Sequence, residues 1–427
     1  MPHCKENLTN EDYDYYQKIY NEKSWAWWLN HIGTFAVFVV GFCGNMLCLV
    51  VLCRRRLRRN SYTQYLIALA IVDTGAILSE VLVASDELYQ YRSDKRTLLQ
   101  HTNLTCKLYY YIRYIFYSMS SWIIVALAIE RLVAIKFPLW SKHICSVVNA
   151  RRIIFIVLIF SMTIQSYHTI VKGLDCGPTS SSSSATSTSV SSFKPNITTT
   201  LLDLSLTTAT TITSTVTSGT TCRCKTLPAY AKIDIVMTIY VWRLVLMLLV
   251  PSSIIISVNI LIMNQLYSES SLVDHKTRTN QRKKLILLYK ISKMLVIVSS
   301  VYLVLHVPGS LLEVLKFIFV HALQICNSKL RYYIYITHDI FDLLTNFNYG
   351  INFYLYIISG KHIRLELLRA IDISKRNRAN HRQRSSFFSS SYIHLSKNHH
   401  YNHNNHSNFN HNTSTAPKPS LQRLSSC

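Results

Sequence analysis

Several polar residues sit at helical spacing inside apolar sequence, where they are costly. Arg113, Tyr117, Ser120, Ile124, Leu127 and Arg131 recur at intervals of three and four, which puts them on one helix face. That face carries a base at each end and hydroxyls between. Asp73 and Glu80 lie seven residues apart and share a second face. Tyr302, His306, Gly309 and Glu313 line up on a third, with Pro308 as an expected kink. Asp342, Thr345, Tyr349, Asn352 and Tyr356 form a fourth row, with Asn348 one turn before Asn352. The chemistry open to this set is noncovalent recognition. Its acids and bases can hold a charged ligand, and a carboxylate among hydroxyl and amide oxygens suits a hard cation. No nucleophile, base and orienting group can be assembled from these residues, so enzymatic activity is not expected.

The elements that carry these rows follow from composition. Only 15% of residues are charged and 49% are hydrophobic, yet 45 Lys+Arg against 21 Asp+Glu leave a net charge of +24. A nucleic-acid binder would spread that charge over a polar chain. Here it must be confined to a few places. Seven stretches approach the length that crosses a bilayer: Trp28–Cys53, Thr63–Ala84, Leu108–Ile129, Ile153–Val171, Ile233–Met263, Met294–Leu312 and Tyr332–Ile358. In lipid the backbone must bond to itself, so these are predicted helices. The fold class is an all-α membrane protein, a seven-transmembrane helix bundle. No internal repeat or pair of broken helices favours the rival reading, a transporter.

Charge sets the orientation. The segments Arg54–Tyr62, Leu132–Arg152, Asn264–Lys293 and Gly360–Cys427 together carry +23, and the opposite side carries +2. The basic segments are expected in the cytoplasm, with the N-terminus outside a plasma membrane crossed many times. Met1–Ser24 has no apolar core, so the first stretch is expected to act as an uncleaved anchor. Three Asn-x-Thr sequons, at Asn7, Asn103 and Asn196, fall on the outer side, as do Cys4, Cys106, Cys176, Cys222, Cys224 and Cys326. Their connectivity is open.

Residues 1–27 are thus an outer N-terminal segment and 28–359 the bundle, with a long outer loop over 172–231. Between Thr179 and Thr221, 27 of 43 residues are Ser or Thr, a composition without a packed core. Residues 360–373 are expected as an amphipathic helix, with Ile363, Leu367 and Ile371 beside Arg364 and Arg369, drawn to anionic lipid of the inner leaflet. Residues 374–427 are expected as a disordered tail whose serines invite phosphorylation.

In this order and spacing the motifs resemble the rhodopsin-like (class A) G-protein-coupled receptors. Gly44-Asn45, Leu69-Ala70-Ile71-Val72-Asp73, Cys106 before Glu130-Arg131-Leu132, Pro251, Pro308 and Asn352-Phe353-Tyr354-Leu355-Tyr356 carry the resemblance. It covers roughly Trp28 to Ile371. The departures are as specific. His306 stands in place of a Trp and Phe353 in place of a Pro. Leu132 replaces a Tyr, and Ser121 and Tyr302 replace the apolar mid-bundle pair. No acid near Leu288 can reach Arg131. The run from Asn348 to Tyr356, with Asn259, is similar to invertebrate neuropeptide receptors of the FMRFamide type.

The resemblance implies an extracellular ligand, a peptide by subfamily, and a heterotrimeric G-protein as partner, with arrestin and a receptor kinase at the tail. A class A receptor for a non-peptide ligand is the alternative. Arg113, Tyr117, Arg243, His306, Glu313 and Asp342 are the ligand-binding candidates, with Glu80 beside them. A basic side chain on the peptide would meet Glu313 or Asp342. In the competing arrangement Arg113 pairs internally with Glu80 or Asp342. Glu130, Arg131, Asn352 and Tyr356 match the coupling positions. Asp73, Ser120, Asn348 and Asn352 match an allosteric sodium pocket, with no other cofactor implied. Cys106 is expected to bridge to Cys224 or Cys222, leaving the other for Cys176, and Cys4 with Cys326 is a further pairing.

Overall fold

The computed structural model describes residues 24–93, 102–178, 220–270, 279–323, 327–360 and 363–369. The Ser/Thr-rich segment, the tail, Asn7, Asn196, Cys4 and Cys326 lie outside the described residues.

Helix α1 is Trp25–Leu52, opened by the Ser24 hydroxyl accepting from the Trp27 amide at 3.1 Å. Such a side-chain cap satisfies a donor that the first helical turn leaves free. A short turn, Arg55–Arg58, buries Leu57 and leads to α2, Ser61–Ser93. Helix α3, Asn103–Lys136, opens on a capping box between Thr102 and Thr105. It stops at Phe137, because Pro138 disfavours the helical conformation of the residue before it and starts a new helix, Pro138–Ile144. Helix α4 is Val147–Gln165, and a turn at His168–Val171 delivers the chain to a hairpin.

Strands β1 (Lys172–Pro178) and β2 (Thr220–Thr226) pair antiparallel, with Leu174 opposite Cys224 and Cys176 opposite Cys222. Helix α5 begins at Ala231–Ile235, runs as a wide π-wound stretch over Val236–Leu249 and finishes as Val250–Ser270. Winding of this kind is rare and is concentrated at functional positions. Helix α6, Thr279–Phe317, keeps Pro308 inside it, and α7 is Ser328–Ser359. Residues 363–369 form the last helix, α8.

Six of these helices, α1 to α6, are long and apolar enough to cross a membrane. The sequence expectation of seven apolar stretches included Tyr332–Ile358. That stretch is helical, within α7, but its Tyr, Asn and Asp residues keep it less apolar. It packs against α1 and α6. Its contact with α1 is backbone to backbone. A Cβ added at Gly350 would lie 3.1 Å from Gly41 Cα, and the Asn45 amide donates to the Tyr349 carbonyl at 3.2 Å. The core runs down the centre of the bundle through Leu66, Leu69, Ile123, Ile124, Ile255, Tyr302, Phe353 and Tyr356. Phe353, where a Pro was expected, is buried in it, and α7 is unbroken there.

Of the apolar stripe expected on α8, Ile363 and Leu367 turn to the protein, and Ile371 lies outside the described residues. Ile363 joins the core and Leu367 packs on it, whereas Leu365 and Leu368 are exposed. The reason is Glu366. Its buried carboxylate takes Arg56 at 3.2 Å and Arg369 at 2.5 Å, and its carbonyl accepts from Arg54 at 3.0 Å. Those contacts roll the Ile363 face onto the core.

Candidate functional site

Two polar clusters and one basic end lie along the bundle axis. The first is at the hairpin end. Arg113 (α3) donates to Glu80 (α2) at 2.6 Å and, through Nε, to the Tyr117 hydroxyl at 3.1 Å. The Tyr117 ring stacks on Tyr349 of α7 with centroids 5.4 Å apart. Arg243 (α5) is paired with Glu313 (α6). His306 is buried one turn below Ser310, whose hydroxyl lies 3.3 Å from its Nε2. Asp342 (α7) accepts from the Asn30 amide (α1) at 3.1 Å. Six helices therefore contribute a charge or its partner to one region.

The second cluster lies at mid-depth. The Asp73 carboxylate accepts from the Ser120 hydroxyl and the Asn352 amide, each at 2.6 Å. Asp73 and Ser120 are fully buried, and the buried Asn348 amide nitrogen beside this row has no partner. The Asp73 carboxylate and the Ser120 hydroxyl bring oxygens together here, and the Asn352 carboxamide turns its nitrogen to Asp73. A hard cation takes that donor set readily.

At the opposite end Arg131 is held from the α2 side. Glu130 takes its guanidinium at 2.9 Å and also the Ser61 hydroxyl, and the guanidinium carbon lies 5.0 Å from the Tyr62 ring centroid. A small cavity between α3, α5 and α6 opens beside it, lined by Leu127, Asn259, Leu295 and Ser299. Asn259 accepts from Ser299 at 2.9 Å, tying α5 to α6 at this level.

Residues 44–181 match the family model described as 7 transmembrane receptor (rhodopsin family). That span contains Asp73, Cys106, Glu130 and Arg131 in the order and burial just described. Over these residues the chain is similar to the rhodopsin family. Over 122 residues the chain is 32% identical to growth hormone secretagogue receptor type 1 of Homo sapiens, a match covering 29% of this chain and 32% of that protein. The pig (Sus scrofa) protein matches at 32% and the rabbit (Oryctolagus cuniculus) protein at 31% over the same shares. The chain thus spans about a third of the length of the curated relatives it matches.

Most of the residues singled out in the sequence meet in space. Arg113, Tyr117, Arg243, His306, Glu313 and Asp342 all border the hairpin-end region, but their charges are largely spent on one another. Of the two arrangements open for Arg113, the structure shows internal pairing with Glu80. Cys106 is bonded to Cys224, with Cα atoms 5.7 Å apart, which ties the start of α3 to β2. Asn103 is exposed at the first turn of α3, where its amide oxygen accepts from the Leu174 backbone at 3.2 Å. Tyr356 is buried in the core with its hydroxyl unpartnered.

Three partners were not singled out in the sequence. Asn30 is uncharged and sits in a stretch read as simply apolar. Ser61 and Tyr62 lie at the start of α2, where a polar residue signals only a helix end. A fourth site, Gln165 with His168, is wholly buried with no hydrogen bond on either side chain. His168 is stacked at 4.3 Å on Tyr114. Nothing in its local sequence separates it from a surface turn.

Proposed function

We propose that the receptor binds an extracellular peptide at the hairpin end and activates a heterotrimeric G-protein at the Arg131 end. The observation that carries this reading is the hairpin-end cluster itself. One largely buried and one half-buried ion pair and a further carboxylate, from five helices, are costly to keep in a membrane bundle unless a ligand uses them. Mixed charge with tyrosine and histidine suits a peptide, which offers amides as well as charged side chains. The relatives are named as receptors for growth hormone secretagogues. The charge asymmetry of the loops supports an outer hairpin end and a cytoplasmic Arg131 end.

In this reading ligand acts by population shift. It must bind the form with an open cytoplasmic face more tightly than the resting form. Arg131, held by Glu130 and Tyr62 at rest, is released to meet the G-protein, and Asn352 and Tyr356 of α7 support the open form. Sodium, held by Asp73 with the oxygens of Ser120, Asn348 and Asn352, would supply positive charge that favours the resting packing. Arrestin and a receptor kinase would act at the tail, and anionic lipid would lie against Arg364 and Arg369.

The test is a peptide-library screen in transfected cells with calcium and cyclic-nucleotide readouts. An active peptide should lose its signal with Arg131→Ala while that variant still reaches the cell surface. A surface-expressed receptor that activates no G-protein with any peptide, or an Arg131→Ala variant that signals normally, would overturn the proposal.

A further inference from the structure

Among the five Glu, Asp and Arg residues of the hairpin-end cluster, acids outnumber bases. Glu80, Glu313 and Asp342 bring three carboxylates, and Arg113 and Arg243 bring two guanidiniums. Glu80 and Glu313 each have a guanidinium in direct contact. No Lys or Arg among the described residues lies within ion-pair distance of Asp342, although Asp342 is close enough to Glu80 and Arg243 to act on both electrostatically. His31, one residue past Asn30, is already committed to Glu87 at 3.0 Å.

Asn30 shows what kind of group is missing. Its amide nitrogen donates to Asp342 Oδ2 at 3.1 Å, and a carboxylate next to it fixes that orientation of the amide. The other end, Asn30 Oδ1, is then a buried acceptor with no donor. Asp342 Oδ1 likewise takes no hydrogen bond from a described residue. Asn30 and Asp342, in contact between α1 and α7, thus leave two unfilled acceptors and one carboxylate with no ion-pair partner among the described residues. A neutral hydrogen-bond donor would satisfy an acceptor and leave the charge. A cation with several N–H groups satisfies both.

We infer that Asp342 and Asn30 form the subsite for a guanidinium or ammonium group, so that this receptor selects ligands that carry a basic group. The inference rests on the hairpin end being the ligand site. It also narrows it, because Glu313, the other acid available to a basic ligand, is occupied by Arg243 from its own bundle. The Arg113–Glu80 and Arg243–Glu313 pairs stay closed and shape the walls. Asp342 and Asn30 provide the charge recognition.

The test uses the purified full-length receptor and thermal unfolding, with N-acetyl-argininamide as the probe and N-acetyl-citrullinamide as its neutral match. The arginine compound should raise the unfolding temperature of the wild type in a dose-dependent way. The citrulline compound should not. Asp342→Asn should abolish the shift, and Asn30→Ala should weaken the apparent affinity by about tenfold, the worth of one charge-assisted hydrogen bond. Without probe, Asp342→Asn should melt higher than wild type, because it removes an uncompensated charge. Equal shifts with the two compounds, an undiminished shift in Asp342→Asn, or a lower melting point of that variant would overturn the subsite. No signalling enters this measurement. A receptor that shows the shift but activates no G-protein keeps the subsite and loses the proposed function, and the reverse result does the opposite.

Discussion

Ser121 of α3 and Tyr302 of α6 share a buried hydrogen bond of 2.7 Å between hydroxyls, in the centre of the bundle. The Tyr302 ring stacks on His306 with centroids 5.0 Å apart, one turn nearer the hairpin end. A polar tie thus joins two helices at a depth where an apolar contact was expected. Apolar side chains slide past one another at small cost, whereas a buried hydrogen bond is either made or broken.

Removing one partner of this tie should cost more than removing both. Tyr302→Phe strands the Ser121 hydroxyl, and a buried unsatisfied group costs ~1–3 kcal/mol. Ser121→Ala with Tyr302→Phe leaves nothing stranded. We predict that the double variant melts higher than Tyr302→Phe alone, by thermal unfolding of the purified protein. Additive losses in the double-mutant cycle would show that the two hydroxyls are not coupled.

The Glu80–Arg113 pair, at 2.6 Å and largely buried, should behave as a unit. Glu80→Gln leaves the Arg113 guanidinium without its counter-charge, and breaking a buried pair costs ~3–5 kcal/mol. Surface expression should fall sharply. The exchange Glu80→Arg with Arg113→Glu should recover part of it, measured by labelling of intact cells. Full expression of Glu80→Gln would mean that Arg113 finds water or another acid.

Among the described residues Arg131 pairs with Glu130 and with no acid of α6, so its restraint should be found on α2 and α3. The Tyr62 contact is of cation–π type and is worth ~1 kcal/mol, a several-fold change in a two-state ratio. Glu130→Gln and Tyr62→Leu should each raise ligand-independent G-protein activation. Variants of α6 at Leu288 should leave it unchanged. Basal signalling that responds to Leu288 but not to Tyr62 or Glu130 would place the restraint on the wrong helix here.

The Asp73 cluster makes a prediction about salt. If sodium is held there, replacing potassium by sodium at constant ionic strength should raise the unfolding temperature of the wild type and not that of Asp73→Asn. Constant ionic strength removes general screening from the comparison. Equal melting in the two salts would leave Asp73 with Ser120 and Asn352 as a purely structural hydrogen-bonded group.

Much of this protein is legible in its sequence. Bilayer-length apolar stretches and self-bonding backbone dictate helices, and confinement of the positive charge to four segments suggests their direction. The rows at Arg113–Arg131 and at Asp342–Tyr356 follow from helical period alone, because side chains three and four apart must share a face. Asp73 with Ser120 and Asn352 came from matching such rows to a family pattern. Helix α7 shows the limit of composition: its polar row weakens the apolar signal of the very helix that the site needs.

Pairing was left to the tertiary structure. Period gives the face of a helix but not its rotation against neighbours to within an ångström, and that decides which guanidinium meets which carboxylate. Arg113 had two acids open to it and took Glu80. Arg243 took Glu313, and only this left Asp342 over. Asn30 and Tyr62 acquired roles solely because α1 and α2 bring them against a charge. The Ile363 face of α8 turned inward because Glu366 met Arg54 and Arg56 from a distant loop. Each is a contact between segments far apart in the chain, set by packing of whole helices rather than by local sequence.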